Sequence, residues 1–225
     1  MSVTSSPPEG VPRVPTYKAR QGRVTRGQAD ALARLWPLYG VPVDGRPLDL
    51  EVLFGRTAPL VLEIGCGMGE ATALMAEAEP ERDLLAVDVH TPGLGSLLRQ
   101  VDERGLGHVR VAQGDARVLL ADMLGPGSLA EVRAFFPDPW PKTRHRKRRL
   151  VTPAFCDLLA RRLVPGALLH LATDWAPYAE ALRAVLGGHE AFSLTDDVPW
   201  RPVTRFEQRG VEEGRPAQDV VARRH

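Results

Sequence analysis

Short apolar runs alternate with segments whose apolar residues recur every three or four positions, and the alternation continues through most of the 225 residues. Residues 60–64, 84–87, 109–112, 131–136 and 167–172 read as strands, with the length and composition of strands buried on both faces. Residues 28–39, 70–79, 92–103, 116–123 and 153–163 read as helices; in the last, apolar side chains at 155, 158, 159 and 163 share one face. Tyr178, Ala181, Leu182, Val185 and Leu186 mark a further helix, and residues 191–194 and 219–222 add two strands. Helices set between successive strands predict an α/β fold: a mainly parallel sheet of seven strands, helices on both faces, and ligands at the carboxyl ends of the strands.

Composition narrows this to one unit. At 44% hydrophobic, 225 residues suffice for one well-buried domain, expected over residues 28–225. Residues 1–15 hold four prolines, so residues 1–27 are expected as a flexible basic N-terminal arm. The net charge is only +1, yet residues 10–29 hold five Lys/Arg and residues 142–149 hold six, neither stretch with an acid. Concentrated positive segments on a near-neutral chain suit a polyanionic partner. Cys66 and Cys156 support neither a disulfide framework nor a zinc site, so no metal is expected. Residues 1–10 lack the apolar stretch of a signal peptide, and no apolar run reaches the roughly 18 residues that span a bilayer, so a cytoplasmic protein without a membrane partner is expected.

The chemistry-bearing residues fall at predicted strand ends. Gly65, Gly67 and Gly69 follow the first strand and open a helix, where a turn without Cβ atoms lets backbone approach a ligand. Glu70 stands where a dinucleotide-binding turn needs glycine or alanine, and its charge would repel a pyrophosphate, so the turn prefers a cofactor without phosphates. Glu63 is placed to meet a cationic amine or sulfonium, Asp88 to take the hydroxyls of a ribose, and Asp115 to accept from an adenine amino group. Singly, each acid is as easily a helix cap or a surface charge. Together with the glycines they describe a pocket for S-adenosylmethionine.

The fourth strand runs into Phe135, Phe136, Pro137, Asp138, Pro139, Trp140 and Pro141, and then into Lys142, Thr143, Arg144, His145, Arg146, Lys147, Arg148 and Arg149. A carboxylate on a proline-stiffened loop suits a planar base, and the cations beside it suit phosphate oxygens. Trp140 either stacks on a base, caps the pocket or packs in the core. Asp174, at the end of the fifth strand, either orients the base or caps the next helix.

These motifs, with Thr173-Asp174-Trp175 and the late Thr204-Arg205-Phe206-Glu207, resemble the bacterial tRNA (guanine-N7-)-methyltransferase family, over nearly the whole chain. The resemblance implies a Rossmann-like class I methyltransferase fold and S-adenosylmethionine as methyl donor. It implies that Glu63, Asp88, Asp115 and Asp138 contact the donor, with Asp138 also catalytic. It further implies that Lys142, Asp174, Thr204, Arg205, Phe206 and Glu207 bind the substrate, and that Arg144, His145, Arg146, Lys147, Arg148 and Arg149 touch RNA. The implied target is guanine 46 in the variable loop of tRNA, the protein being a monomer or homodimer. Asp88 stands where the family often has glutamate and Asp115 where asparagine is frequent, and both keep an acceptor. The rival readings are an amino-directed N-methyltransferase, because Asp138-Pro139-Trp140 partly resembles an Asp-Pro-Pro-aromatic loop, and a non-catalytic RNA-binding protein.

Overall fold

The structure, a computed structural model, describes residues 14–18 and 22–225; most of the expected arm, including Arg20 and Gln21, lies outside the described residues. In chain order the elements are α1 (Arg26–Tyr39), β1 (Gly40–Pro42), α2 (Leu50–Phe54), β2 (Leu60–Ile64), α3 (Glu70–Ala78), β3 (Asp83–Asp88), α4 (Thr91–Arg104) and β4 (Val109–Gln113). There follow α5 (Ala116–Val118), which widens into a π-helical turn over Leu119–Met123, β5 (Leu129–Phe135), a 3-10 turn over Thr143–Arg148, and α6 (Pro153–Arg162). The chain closes with β6 (Leu163–Thr173), α7 (Ala176–Gly187), β7 (Phe192–Thr195), α8 (Arg205–Glu212) and β8 (Gln218–Arg224).

The strands form one sheet in the order β1-β4-β3-β2-β5-β6-β8-β7, parallel from β1 to β6, with β8 antiparallel to both β6 and β7. The expected seven strands are present, and an eighth, β1, pairs with β4 through Gly40, Val41 and Pro42. Three residues cannot display a two-residue period, and Pro42 is tolerated because β1 is an edge strand. Strand order reverses between β2 and β5, and there the carboxyl ends of parallel strands leave a crevice.

Alternation along the strands sorts the core into two layers. Leu84, Ala86, Val109 and Val111 face α1, α3 and α4, whereas Leu62, Leu85, Val87, Val132 and Leu169 face α6, α7 and the π-helical turn. Two helices went unread, α2 and α8. The second carried its signal: Thr204 and Glu207 have the spacing of a capping pair, and the Thr204 hydroxyl accepts from the Glu207 N–H at 3.1 Å.

Close packing behind the glycine turn is set by α4. A Cβ on Gly93 would overlap the Gly67 carbonyl oxygen, and one on Gly69, at φ 81°, would strike Leu97. Gly93→Ala therefore pushes α4 off the turn. It is expected to cost about 1–3 kcal/mol of stability and to weaken cofactor binding, readable by thermal melting and calorimetric titration; unchanged values for both would show that the turn is not seated on α4.

Candidate functional site

Glu63, near the end of β2, is the most exacting part of the site. Its side chain is buried, and Glu63 Oε2 and Thr72 Oγ1 have no hydrogen-bond partner among the described residues. Burial pushes the Glu63 carboxyl up to about 7; the neighbouring Thr72 and Arg133 favour its charged form, and Asp88 opposes it. A buried carboxylate without a full set of partners is costly unless a cation joins it. Cys66 shares the same field, its thiol raised by burial and by the charges of Asp88 and Glu63.

Asp88, at the end of β3, ties the glycine turn in place: Oδ2 accepts from the Gly67 N–H at 3.0 Å and Oδ1 from the His90 N–H at 2.9 Å. Gly65 and Gly67, at φ 83° and 57°, face open space where any Cβ would project. Asp115 caps α5 through the Arg117 N–H and is gripped by the Arg117 guanidinium, with Nη2–Oδ2 at 2.6 Å. Arg117 is itself buried. Each Asp115 oxygen thus already meets two N–H contacts from Arg117, and most of its charge is balanced.

Asp138 lies beyond β5 on a loop bracketed by two non-glycine residues in the left-handed region, Phe136 at φ 53° and Trp140 at φ 44°. Each such residue costs about 1–2 kcal/mol, so surrounding contacts must hold the loop. Phe136 N–H donates to the Ala172 carbonyl at 2.7 Å. On the other side, residues 14–18 lie over the loop. The Lys18 N–H donates to Asp138 Oδ2 at 2.9 Å, and Trp140 Nε1 donates to the Thr16 carbonyl at 3.0 Å. Arg148 donates to the carbonyls of Pro15 and Tyr17, and Arg117 to that of Val14.

Trp140 is only 4% exposed, and the Arg148 guanidinium sits 3.8 Å from its ring centroid, so the ring caps the loop and offers no open face for a base. The basic run divides in two. Arg148 is committed to residues 15 and 17, and Arg149 donates to the Pro139 carbonyl at 2.9 Å and lies over Tyr178. Lys142, Arg144, Arg146 and Lys147 point to solvent. Partial burial and then the charges of Arg144, Arg148, Lys142 and Lys147 hold the His145 imidazole below its ordinary value, which suits a neutral contact.

Asp174 does not cap α7, whose first turn follows Trp175 without a side-chain cap; instead it pairs with Arg215. Glu207 is buried and receives both ends of the Arg201 guanidinium, while Arg205 and Phe206 are exposed, Phe206 resting on Phe136 with ring centroids 5.0 Å apart. Arg117, Arg201, Arg215 and residues 14–18 were not singled out in the sequence. Arg201, Arg215 and residues 14–18 have partners far along the chain, which nothing local marks, whereas Arg117 stands only two residues from Asp115. Among the described residues no cluster of His, Cys, Asp and Glu has the makings of a metal site, and no helix is long and apolar enough to cross a membrane.

A parallel sheet whose successive strands end in a glycine turn and in acids from β2, β3, β4 and β5 is the build of a class I methyltransferase. A solved rRNA methylase from Streptococcus thermophilus, 14% identical, shares this fold with a TM-score of 0.52 over 90% of this chain and 99% of its own. A family model described as "Putative methyltransferase" matches residues 57–220. The tRNA (guanine-N(7)-)-methyltransferase of Streptomyces avermitilis is 54% identical, covering 94% of this chain and 76% of that protein. Its counterpart from Nitrosospira multiformis is 50% identical over 93% of each. The chain belongs to the tRNA (guanine-N7-)-methyltransferase family.

Proposed function

We propose that this protein transfers the methyl group of S-adenosylmethionine to N7 of guanine 46 in the variable loop of tRNA, in the cytoplasm. The observation that carries the reading is the position of Asp138, on a constrained loop that leaves the carboxyl end of β5, the parallel neighbour of the β2 strand that runs into the glycine turn, and leads into the exposed cations of the 3-10 turn. S-adenosylmethionine supplies an electrophilic methyl carried on a sulfonium.

The residues fit such a donor because it is cationic and lacks phosphates. Glu63 lacks a partner that an ammonium would provide, and the turn at Gly65 and Gly67 leaves room for backbone approach. Asp88 would hold the ribose through lone pairs beyond those already used, and Asp115 would take the adenine amino group in exchange for part of its contact with Arg117. Guanine N7 has an in-plane lone pair and no proton, so no general base is needed. The chain's task is alignment and charge balance. Asp138 accepts from the guanine N1–H and N2–H edge, and grows more favourable as positive charge develops on the purine. A guanine packed into the tertiary structure of tRNA would have to be exposed first, while Arg144, Arg146 and Lys147 hold the backbone. Lys142, Asp174, Arg205 and Phe206 are the residues we assign to the delivered nucleotide.

Incubation of the protein with labelled donor and unmodified tRNA, followed by nucleoside mass analysis, tests the reading. N7-methylguanosine from the variable loop is expected; methyl on an exocyclic amine or on DNA would favour the amino-directed rival.

Glu63 adds a pH signature. Its folded value lies above the ordinary 4.5, so the stability tied to its neutral form is complete below about 4.5 and declines as pH rises through about 7. A cation binding there draws the proton off. Donor binding is thus expected to release up to one proton near pH 6 and to tighten as pH rises through 7. Calorimetry in buffers of different ionisation enthalpy reads the release, and Glu63→Gln should abolish it.

A further inference from the structure

Three elements meet at the base of the Asp138 loop, and one side chain joins them. Arg201 is buried. Its Nη1 and Nη2 donate to Glu207 Oε2 and Oε1 at 2.5 and 3.0 Å, and its Nε and Nη2 to Asp219 Oδ1 and Oδ2 at 2.7 and 3.0 Å. Asp219 Oδ1 also meets His170 Nε2 on β6 at 2.7 Å. Two carboxylates hold the plane of the guanidinium, leaving its faces for rings. The guanidinium carbon lies 5.6 Å from the centroids of both Phe135 and Phe136. Phe135 meets His170 edge-on at 5.0 Å, and Phe136 meets Phe206 at 5.0 Å in a tilted pair.

We infer that Arg201 is a positioning residue for methyl transfer, through which Glu207 on α8 and Asp219 on β8 fix the turn at Phe135 and Phe136 that carries Asp138. Phe136 sits in a conformation its side chain disfavours, two positions before Asp138, so the loop needs an external hold on its rings. The motif at residues 204–207 then serves the reaction from behind: Thr204 starts α8, and Glu207 is spent on Arg201. A lysine cannot substitute, because one ammonium cannot span two carboxylates and also present a flat face to two rings.

The inference rests on the assignment of Asp138 made above, and the experiment separates the two. If the unaltered chain makes no N7-methylguanosine in tRNA, the proposed activity fails on its own, and if Asp138→Ala keeps a near-normal rate, the assignment of Asp138 fails on its own. Given activity, Arg201→Met is expected to lower kcat per donor-binding site about 10- to 100-fold, as for a small misplacement of a reacting geometry, while the Kd values for donor and tRNA change by less than about threefold. Arg201→Lys should recover only part of the loss. Glu207→Gln should lower kcat less in the Arg201→Met background than alone, because both changes break one link. Glu207→Gln that raises KM for tRNA equally in both backgrounds would show direct contact with RNA and overturn the inference. A normal kcat in Arg201→Lys with only a lowered Tm would also overturn it. Should Arg201→Met fail to fold, Arg201→Lys paired with Glu207→Gln carries the same cycle.

Discussion

Asp138→Ala is expected to lower turnover about 10²- to 10³-fold while leaving donor affinity within about threefold, the loss that follows removal of one preorganised electrostatic contact from a reacting centre. The expectation follows from where the carboxylate stands. One oxygen is anchored by the Lys18 N–H, and the loop is held on either side by the Phe136 N–H on the Ala172 carbonyl and the Trp140 indole on the Thr16 carbonyl, so the group needs little reorganisation as charge appears on the base. Asp138→Asn keeps an acceptor and loses the charge, so it should fall between Asp138→Ala and the natural enzyme. Single-turnover rates with saturating donor separate chemistry from binding. Near-normal rates for Asp138→Ala would remove the residue from the mechanism.

Replacing Arg144, Arg146 and Lys147 together by glutamine should weaken tRNA binding about tenfold or more at low salt. It should also reduce the slope of log affinity against log salt by about 3, near one per lost phosphate contact. These three are chosen because their side chains are exposed on the 3-10 turn. Arg148 and Arg149 are engaged with residues 15, 17 and 139, so changing them would disturb the loop itself and confuse binding with chemistry. Filter binding across a salt series, with turnover at saturating tRNA as the companion measurement, reads both effects. An unaltered slope would place the RNA on another face.

The basic run shows what could and could not be read ahead of the structure. Its charge, and its place after a strand, are properties of consecutive residues and were legible. Its division into solvent-facing and inward-facing cations was not, because a 3-10 turn of six residues carries no pattern that marks which side faces inward. Trp140 is a similar case: the ring was open to three readings, and only its burial against Arg148 and the Thr16 carbonyl showed that it has no open face for a base. Asp174 likewise had an evident local partner in α7, and found Arg215, 41 positions away, instead.

In β5 the sequence places Glu131 and Arg133 on one face of a central strand, an arrangement that looks costly in isolation. Arg133 is 2% exposed and pairs with Glu131 and with Glu79 from beyond α3, while Arg82 closes the group on Glu131. The pairing makes the burial tolerable.

Consecutive residues alone encode the alternation of strands and helices, the glycine turn after β2, and the acids at or just past the ends of β2, β3, β4 and β5. Each of these rests on side-chain period or on backbone φ within a few consecutive residues. Only the tertiary structure decided the state of each acid: Glu63 buried and short of a partner, Asp88 tying the turn, Asp115 gripped by Arg117, Asp138 anchored by Lys18 from 120 positions away. Ion pairs and buried hydrogen bonds depend on distances between elements that no local pattern encodes. The reactivity of these groups therefore emerges only when the sheet brings its strand ends together.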